Sequence, residues 1–187
     1  MPIRYVAGDL FANEYQARAL AHGCNCQGTM GAGIAVGFRE RYPAMYAAYR
    51  QRCQASPRQF NPGDVFLWKA DNQPWVFNLA TQEDYWRSRA YGGGRLREPG
   101  SRTLAPVGRS RAPATYDAIE RCLNAMRARA DAEGIASIAM PRIGAGYGGL
   151  SWPKVRAIIE RAFADWAGSL YVYETYQAAS QPAKPAT

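Results

Sequence analysis

One histidine, His22, stands in the whole chain of 187 residues. Four cysteines accompany it, and Cys24 and Cys26 are separated by one residue rather than the two to four usual for zinc. No metal site is therefore expected. The cysteines read as buried thiols of a reducing compartment. No apolar run reaches the length of a membrane span, and no basic-then-apolar leader opens the chain. A cytoplasmic protein without membrane contact is expected. Acidic residues are also scarce, with 15 against 23 lysines and arginines. No repeat and no second apolar block call for two domains, and no oligomer is expected. We read one domain over 1–176 and a disordered tail over 177–187. Apolar residues make up 48%, enough to build a core.

The basic excess is concentrated. Arg87 to Arg129 holds ten arginines against Glu98, Asp117 and Glu120. Residues 88–112 within it show neither helical nor strand periodicity and carry Gly92-Gly93-Gly94, Pro99-Gly100 and Pro106. A loop this long usually serves function or is disordered. Tyr85, Trp86 and Tyr91 interleave with arginine, which suits stacked bases and phosphates. The segment Arg87–Arg111 is read as a nucleic-acid contact, and the alternative is a solvated basic loop.

Strands alternate with helices. Ile3–Val6, Ala19–Asn25, Val65–Trp68, Trp75–Leu79, Ser137–Met140 and Leu170–Glu174 read as strands. Ala32–Arg41, Pro43–Cys53, a segment from about Thr115 to Ala132, and Trp152–Trp166 read as helices. That order implies an α/β fold, a mixed sheet with helices on both faces.

Two glycine-rich turns follow strands. The first is Cys24-Asn25-Cys26-Gln27-Gly28-Thr29-Met30-Gly31-Ala32-Gly33-Ile34, leading into a helix. The second is Arg142-Ile143-Gly144-Ala145-Gly146-Tyr147-Gly148-Gly149, four glycines in its last six positions. Backbone amides of such turns, and helix N-termini, hold phosphate. Two facing loops suit a diphosphate and need neither lysine nor metal. Gly8-Asp9-Leu10 ends the first strand. Asp9 is there to accept a ligand N–H or to cap the turn. Tyr173 or Tyr176 is placed to stack on a base or to pack in the core. Asn25 suits ribose hydroxyls, a positioned water, or turn capping.

These three motifs, with Phe38-Arg39 and Tyr42-Pro43 after the first and Leu150-Ser151-Trp152 after the second, resemble the macrodomain family. The nearest branch is that of the DarG antitoxin macrodomains and the terminal ADP-ribose glycohydrolases. The resemblance implies a three-layer α/β/α macrodomain-like fold and ADP-ribose as ligand, without a cofactor. It places adenine at Asp9 and the diphosphate at 30–34 and 144–148. It also implies removal of ADP-ribose from modified nucleic acid, as in a toxin–antitoxin pair. The branch carries a catalytic lysine after a threonine at a strand end. Here Thr81 is followed by Gln82, so chemistry based on that lysine is expected to be absent. Glu83 and Asp84 come next and offer a general base, or serve as turn residues and arginine partners. Three readings stay open: a glycohydrolase, a reader that binds without turnover, and a nucleic-acid module.

Overall fold

The computed structural model describes residues 2–84 and 113–177. The expected arginine-rich insert and the tail from residue 178 lie outside them. Among the described residues are six strands and four helices. The strands are β1 (Ile3–Gly8), β2 (Ala19–Cys24), β3 (Val65–Trp68), β4 (Trp75–Ala80), β5 (Ser137–Pro141) and β6 (Ser169–Tyr176). The helices are α1 (Ile34–Arg41), α2 (Pro43–Gln54), α3 (Tyr116–Ala132) and α4 (Trp152–Ala162). A single turn of 3-10 helix, Leu10–Ala12, follows β1.

One sheet runs in the order β1-β6-β5-β2-β4-β3. All neighbours are parallel except β3, which pairs antiparallel with β4. The inner strands bury both faces, so their apolar residues divide by parity. Ala19 and Ala21 of β2, Phe77 and Leu79 of β4, and Ile138 and Met140 of β5 face one core. Ile119, Leu123 and Met126 of α3 and Val155 and Ile159 of α4 complete it. Leu20, Val76 and Ala139 face the other core, with Phe38 of α1 and Met45 and Tyr49 of α2. The result is the expected three-layer α/β/α sandwich.

Some boundaries differ from the sequence reading. Helix α1 starts at Ile34 rather than Ala32, because Gly33 has φ 58° and ψ −148°. Helix α4 stops at Ala162 rather than Trp166. Phe163 and Trp166 stay buried after the chain has left the helix, so the apolar pattern overruns it. Strand β6 continues past Glu174 to Tyr176, since parallel pairing with β1 extends to Gly8.

His22 is wholly buried in β2. Its ring stacks on Phe38 with centroids 3.9 Å apart, and its Nε2 lies 3.0 Å from Asn78 Oδ1. Burial pushes its pKa down from 6.5 to about 4, although the Asn78 bond opposes the shift. Above pH 6.5 the ring is neutral in both folded and unfolded chains and adds no pH dependence. Below it the unfolded chain takes up a proton that the folded chain refuses until near pH 4. Stability therefore falls as pH drops through that window, by about 2 kcal/mol between pH 7 and pH 5. Urea midpoints measured across that range should show the loss, and His22→Gln should remove this slope.

Candidate functional site

Five parallel strands deliver their C-terminal ends to one edge of the sheet. Ligands of open α/β sheets bind along such an edge. From β1 to β4 the edge presents, in order, Asp9, Tyr173 and Tyr176, the loop after Pro141, the loop after Cys24, and then Thr81–Asp84. Four strand spacings separate the two ends, about 19 Å in all. The site is therefore an elongated cleft with different chemistry at each end.

At the β1 end lies a cavity of about 410 Å³. Gly8, Asp9, Phe11, Gly33, Arg41 and Tyr173 contribute to its walls. Asp9 Oδ1 accepts from the Phe11 backbone N–H at 2.9 Å, so the side chain does cap the following turn. Leu10 is buried beneath it. The Arg41 guanidinium lies 4.2 Å from the centre of the Phe11 ring. Tyr173 is 6% exposed, and its hydroxyl has no hydrogen-bond partner among the described residues. Burial, first, and then the nearby Glu14 raise its pKa. Phe11, Gly37 and Arg41 were not singled out in the sequence. One signal was readable for them. Gly37 sits inside α1, where glycine is costly unless something approaches closely. A Cβ there would lie 2.6 Å from the Phe11 ring.

The two glycine loops meet in the middle of the edge. A Cβ on Gly33 would lie 3.1 Å from the Tyr147 ring. Among the described residues, the backbone N–H groups of Gly31, Ala32, Gly33 and Ile34 donate to no protein acceptor. The same holds for Gly144, Gly146, Tyr147 and Gly148 in the second loop. Gly31, Ala32, Gly33, Gly146 and Tyr147 are exposed, so these amides are open to solvent, and two adjoining sets of open donors have the geometry of an anion nest. Met30 and Ile143 are each 2% exposed and anchor the loops with side chains turned from solvent. Arg142 is exposed, and its guanidinium lies 5.0 Å from the centre of the Trp152 ring. Ala145 N–H closes onto the Arg142 carbonyl at 3.4 Å.

At the β4 end the predicted residues come together, but mostly hold one another. Asn25 Nδ2 donates to the Thr29 carbonyl at 2.8 Å and to Thr29 Oγ1 at 3.0 Å. Its Oδ1 accepts from Gln27 N–H at 2.9 Å and from the Tyr49 hydroxyl at 3.0 Å. Asn25 thus shapes its own loop. Thr81 is buried, with its N–H bonded to the Cys24 carbonyl and its carbonyl accepting from Thr115. Gln82 Nε2 donates to the Asp84 carbonyl at 2.7 Å. Glu83 is gripped by the two terminal nitrogens of the Arg58 guanidinium, Nη1 to Oε1 and Nη2 to Oε2, the latter at 2.9 Å. Its carbonyl accepts from Cys26 N–H at 3.0 Å. The arginine partner of Glu83 is Arg58, 25 residues upstream. Glu83 is therefore a brace for the first loop. That leaves Asp84 as the carboxylate at this end not held by Arg58.

Burial pushes the thiols of Cys26 and Cys122 up to about 12, with Cys24 also raised, so none acts as a nucleophile at neutral pH. No group of His, Cys, Asp and Glu able to hold a metal exists among the described residues.

The sequence pattern of the Macro domain family matches residues 101–159. The DNA ADP-ribosyl glycohydrolase of Thermus aquaticus is 30% identical over 176 residues, covering 92% of this chain and 41% of that protein. The chain thus spans about two fifths of that relative's length. The ADP-ribose glycohydrolase OARD1 of Bos taurus is 30% identical over 161 residues, covering 86% of this chain and 84% of that protein. Among solved structures, the macrodomain of Mycobacterium tuberculosis DarG superposes with a TM-score of 0.71 at 28% identity. That match covers 91% of this chain and 96% of the other.

Proposed function

Because this chain belongs to the macrodomain family, we propose that it binds ADP-ribose and hydrolyses the bond joining ADP-ribose to a modified nucleic-acid base. The observation that carries this reading is the pair of adjoining loops whose backbone N–H groups lack acceptors. A diphosphate satisfies both sets at once. The N-terminus of α1 adds a favourable field for the anion. Adenosine then occupies the 410 Å³ cavity, with Asp9 and Tyr173 along its walls. The second ribose reaches Asn25 and Thr81–Asp84. The relatives named above as glycohydrolases support hydrolysis.

The chemistry at the ribose end has to proceed without an amine. Water attacks the anomeric carbon, and the bond from that carbon to the base breaks. The electron pair leaves with the base, which takes up a proton. In this reading Asp84, the carboxylate at this end not held by Arg58, accepts the proton from water. Asn25 holds the loop that bounds the ribose. Arg58 and Glu83 keep that loop against the end of β4.

Action on nucleic acid, and opposition to a toxin that modifies it, belong to this same proposal. The relative named for DNA supports the action on nucleic acid. So does the arginine content of Arg87–Arg111, a segment outside the described residues. A cytoplasmic setting is part of it too, supported by four free and buried cysteines.

The test is release of free ADP-ribose from single-stranded DNA carrying single ADP-ribose groups, beside calorimetry with ADP-ribose. Release is the expected result. Gln82 favours a second reading, a reader that binds without turnover. Tight binding with no release would establish that reading and sink the first.

A further inference from the structure

A second concavity, of about 560 Å³, lies along the outer face of α2. Tyr46, Ala47, Arg50, Gln51, Gln54 and Ala55 line it. Tyr46, Arg50 and Gln54 recur every four residues and so share one helical face. No carboxylate lines the groove. Four side chains in it can donate hydrogen bonds. Arg50 is exposed and enters no ion pair among the described residues. Across α1 and α2 together, Arg39, Arg41, Arg50 and Arg52 face one acidic residue, Glu40.

The position of the groove matters as much as its charge. Tyr46 donates its hydroxyl to the Gly28 carbonyl at 3.4 Å. A Cβ on Gly28 would lie 3.2 Å from Arg50 Cγ. Gly28 belongs to the loop that Asn25 shapes, at the ribose end of the cleft. The groove therefore passes the loop that bounds the ribose end of the cleft.

We propose that this groove on α2 holds the phosphate backbone of a single nucleic-acid strand running on from the ADP-ribosylated base. This rests on the glycohydrolase reading and extends it to the substrate. A base whose link to ADP-ribose is to be reached has to leave the stack, and a single strand allows this without the cost of unpairing a duplex. Arginine and amide donors with a neighbouring tyrosine suit such a backbone without reading its sequence. The donors of the groove, Tyr46 to Gln54, are other residues than the arginines of 87–111.

The experiment measures binding of the full chain to an unmodified, fluorescein-labelled single-stranded DNA by anisotropy across a salt series. Calorimetry with ADP-ribose runs on the same proteins. Arg50→Glu should weaken DNA binding at least tenfold at low salt and reduce the slope of log K against log salt by about 0.7 or more. Gln54→Glu, one turn away and clear of Gly28, should weaken it several-fold. Both variants should keep wild-type ADP-ribose affinity. Unchanged DNA affinity and slope in both variants would overturn the groove. Loss of ADP-ribose binding alone in Arg50→Glu would also overturn it, since the residue would then serve the loop. Failure of the wild-type chain to bind ADP-ribose would refute the underlying reading instead, and the DNA arm reads independently of it.

Discussion

Gly148→Ala is expected to lose ADP-ribose affinity by about 100-fold, or roughly 2.8 kcal/mol, with the fold kept. A Cβ at this position would stand 2.5 Å from the Gly144 carbonyl oxygen and 2.8 Å from Gly144 Cα. Both neighbours are backbone, so no side chain can swing aside. The second loop has to open, and its amides at Gly144, Gly146 and Tyr147 no longer converge. The damage is confined to the loop, because Gly148 lies outside every strand and helix and Ile143, ahead of the loop, is buried in the core with its N–H bonded to the Pro141 carbonyl of β5. Gly146→Ala is the matched control. Its Cβ would meet nothing within 4 Å, so the loop should keep its shape and the chain its melting temperature. Calorimetry of the two variants decides the matter. Wild-type affinity in Gly148→Ala would show that the second loop does not grip the diphosphate.

The glycine loops were legible because glycine has few other reasons to be so dense. Four in six positions after a buried strand is costly in chain entropy, so a close approach must justify it. The layer order was legible as well. Strands alternate with helices along the chain, and the unbroken apolar run Ala19-Leu20-Ala21 suits a strand covered on both faces. Boundaries were less legible. Phe163 and Trp166 continue the spacing of α4 but reach the core from outside the helix. Strand β6 runs through polar Glu174 and Thr175 because β1 supplies its backbone partners.

The wiring of the ribose end was not legible at all. Arg58 and Glu83 are far apart in sequence and share no pattern, and only the fold brings them together. Glu83 was therefore weighed as a base when its oxygens are held by a guanidinium. Arg41 and Phe11 pair in the same way, with Gly37 as the one trace left in the sequence. Asn25 stood in the right loop, but its bonds to Thr29, Gln27 and Tyr49 depend on how that loop closes.

Asn25→Ala is accordingly expected to strike stability and turnover together. The substitution takes acceptors from the Gln27 N–H and the Tyr49 hydroxyl, and donors from the Thr29 carbonyl and hydroxyl. Asn25 is 8% exposed, so water replaces these partners poorly. Buried polar groups left unpaired cost about 1–3 kcal/mol each, but the Tyr49 hydroxyl keeps its bond to the Asn25 carbonyl at 2.8 Å. A net loss of about 3 kcal/mol in unfolding free energy follows. The loop then ceases to bound the ribose, and ADP-ribose release should fall by at least 100-fold at a temperature where the variant is folded. ADP-ribose affinity should fall much less, since the amides at 31–34 sit on the N-terminus of α1 and not on Asn25. Asn25→Asp separates shape from charge. It keeps the acceptor that Gln27 and Tyr49 need, but sets a carboxylate against the Thr29 carbonyl. Release retained in Asn25→Ala would remove this loop from the reaction and leave Asp84 as the residue to change next. Release lost in both variants, with binding kept, would place the requirement on the amide itself, held where the second ribose must lie.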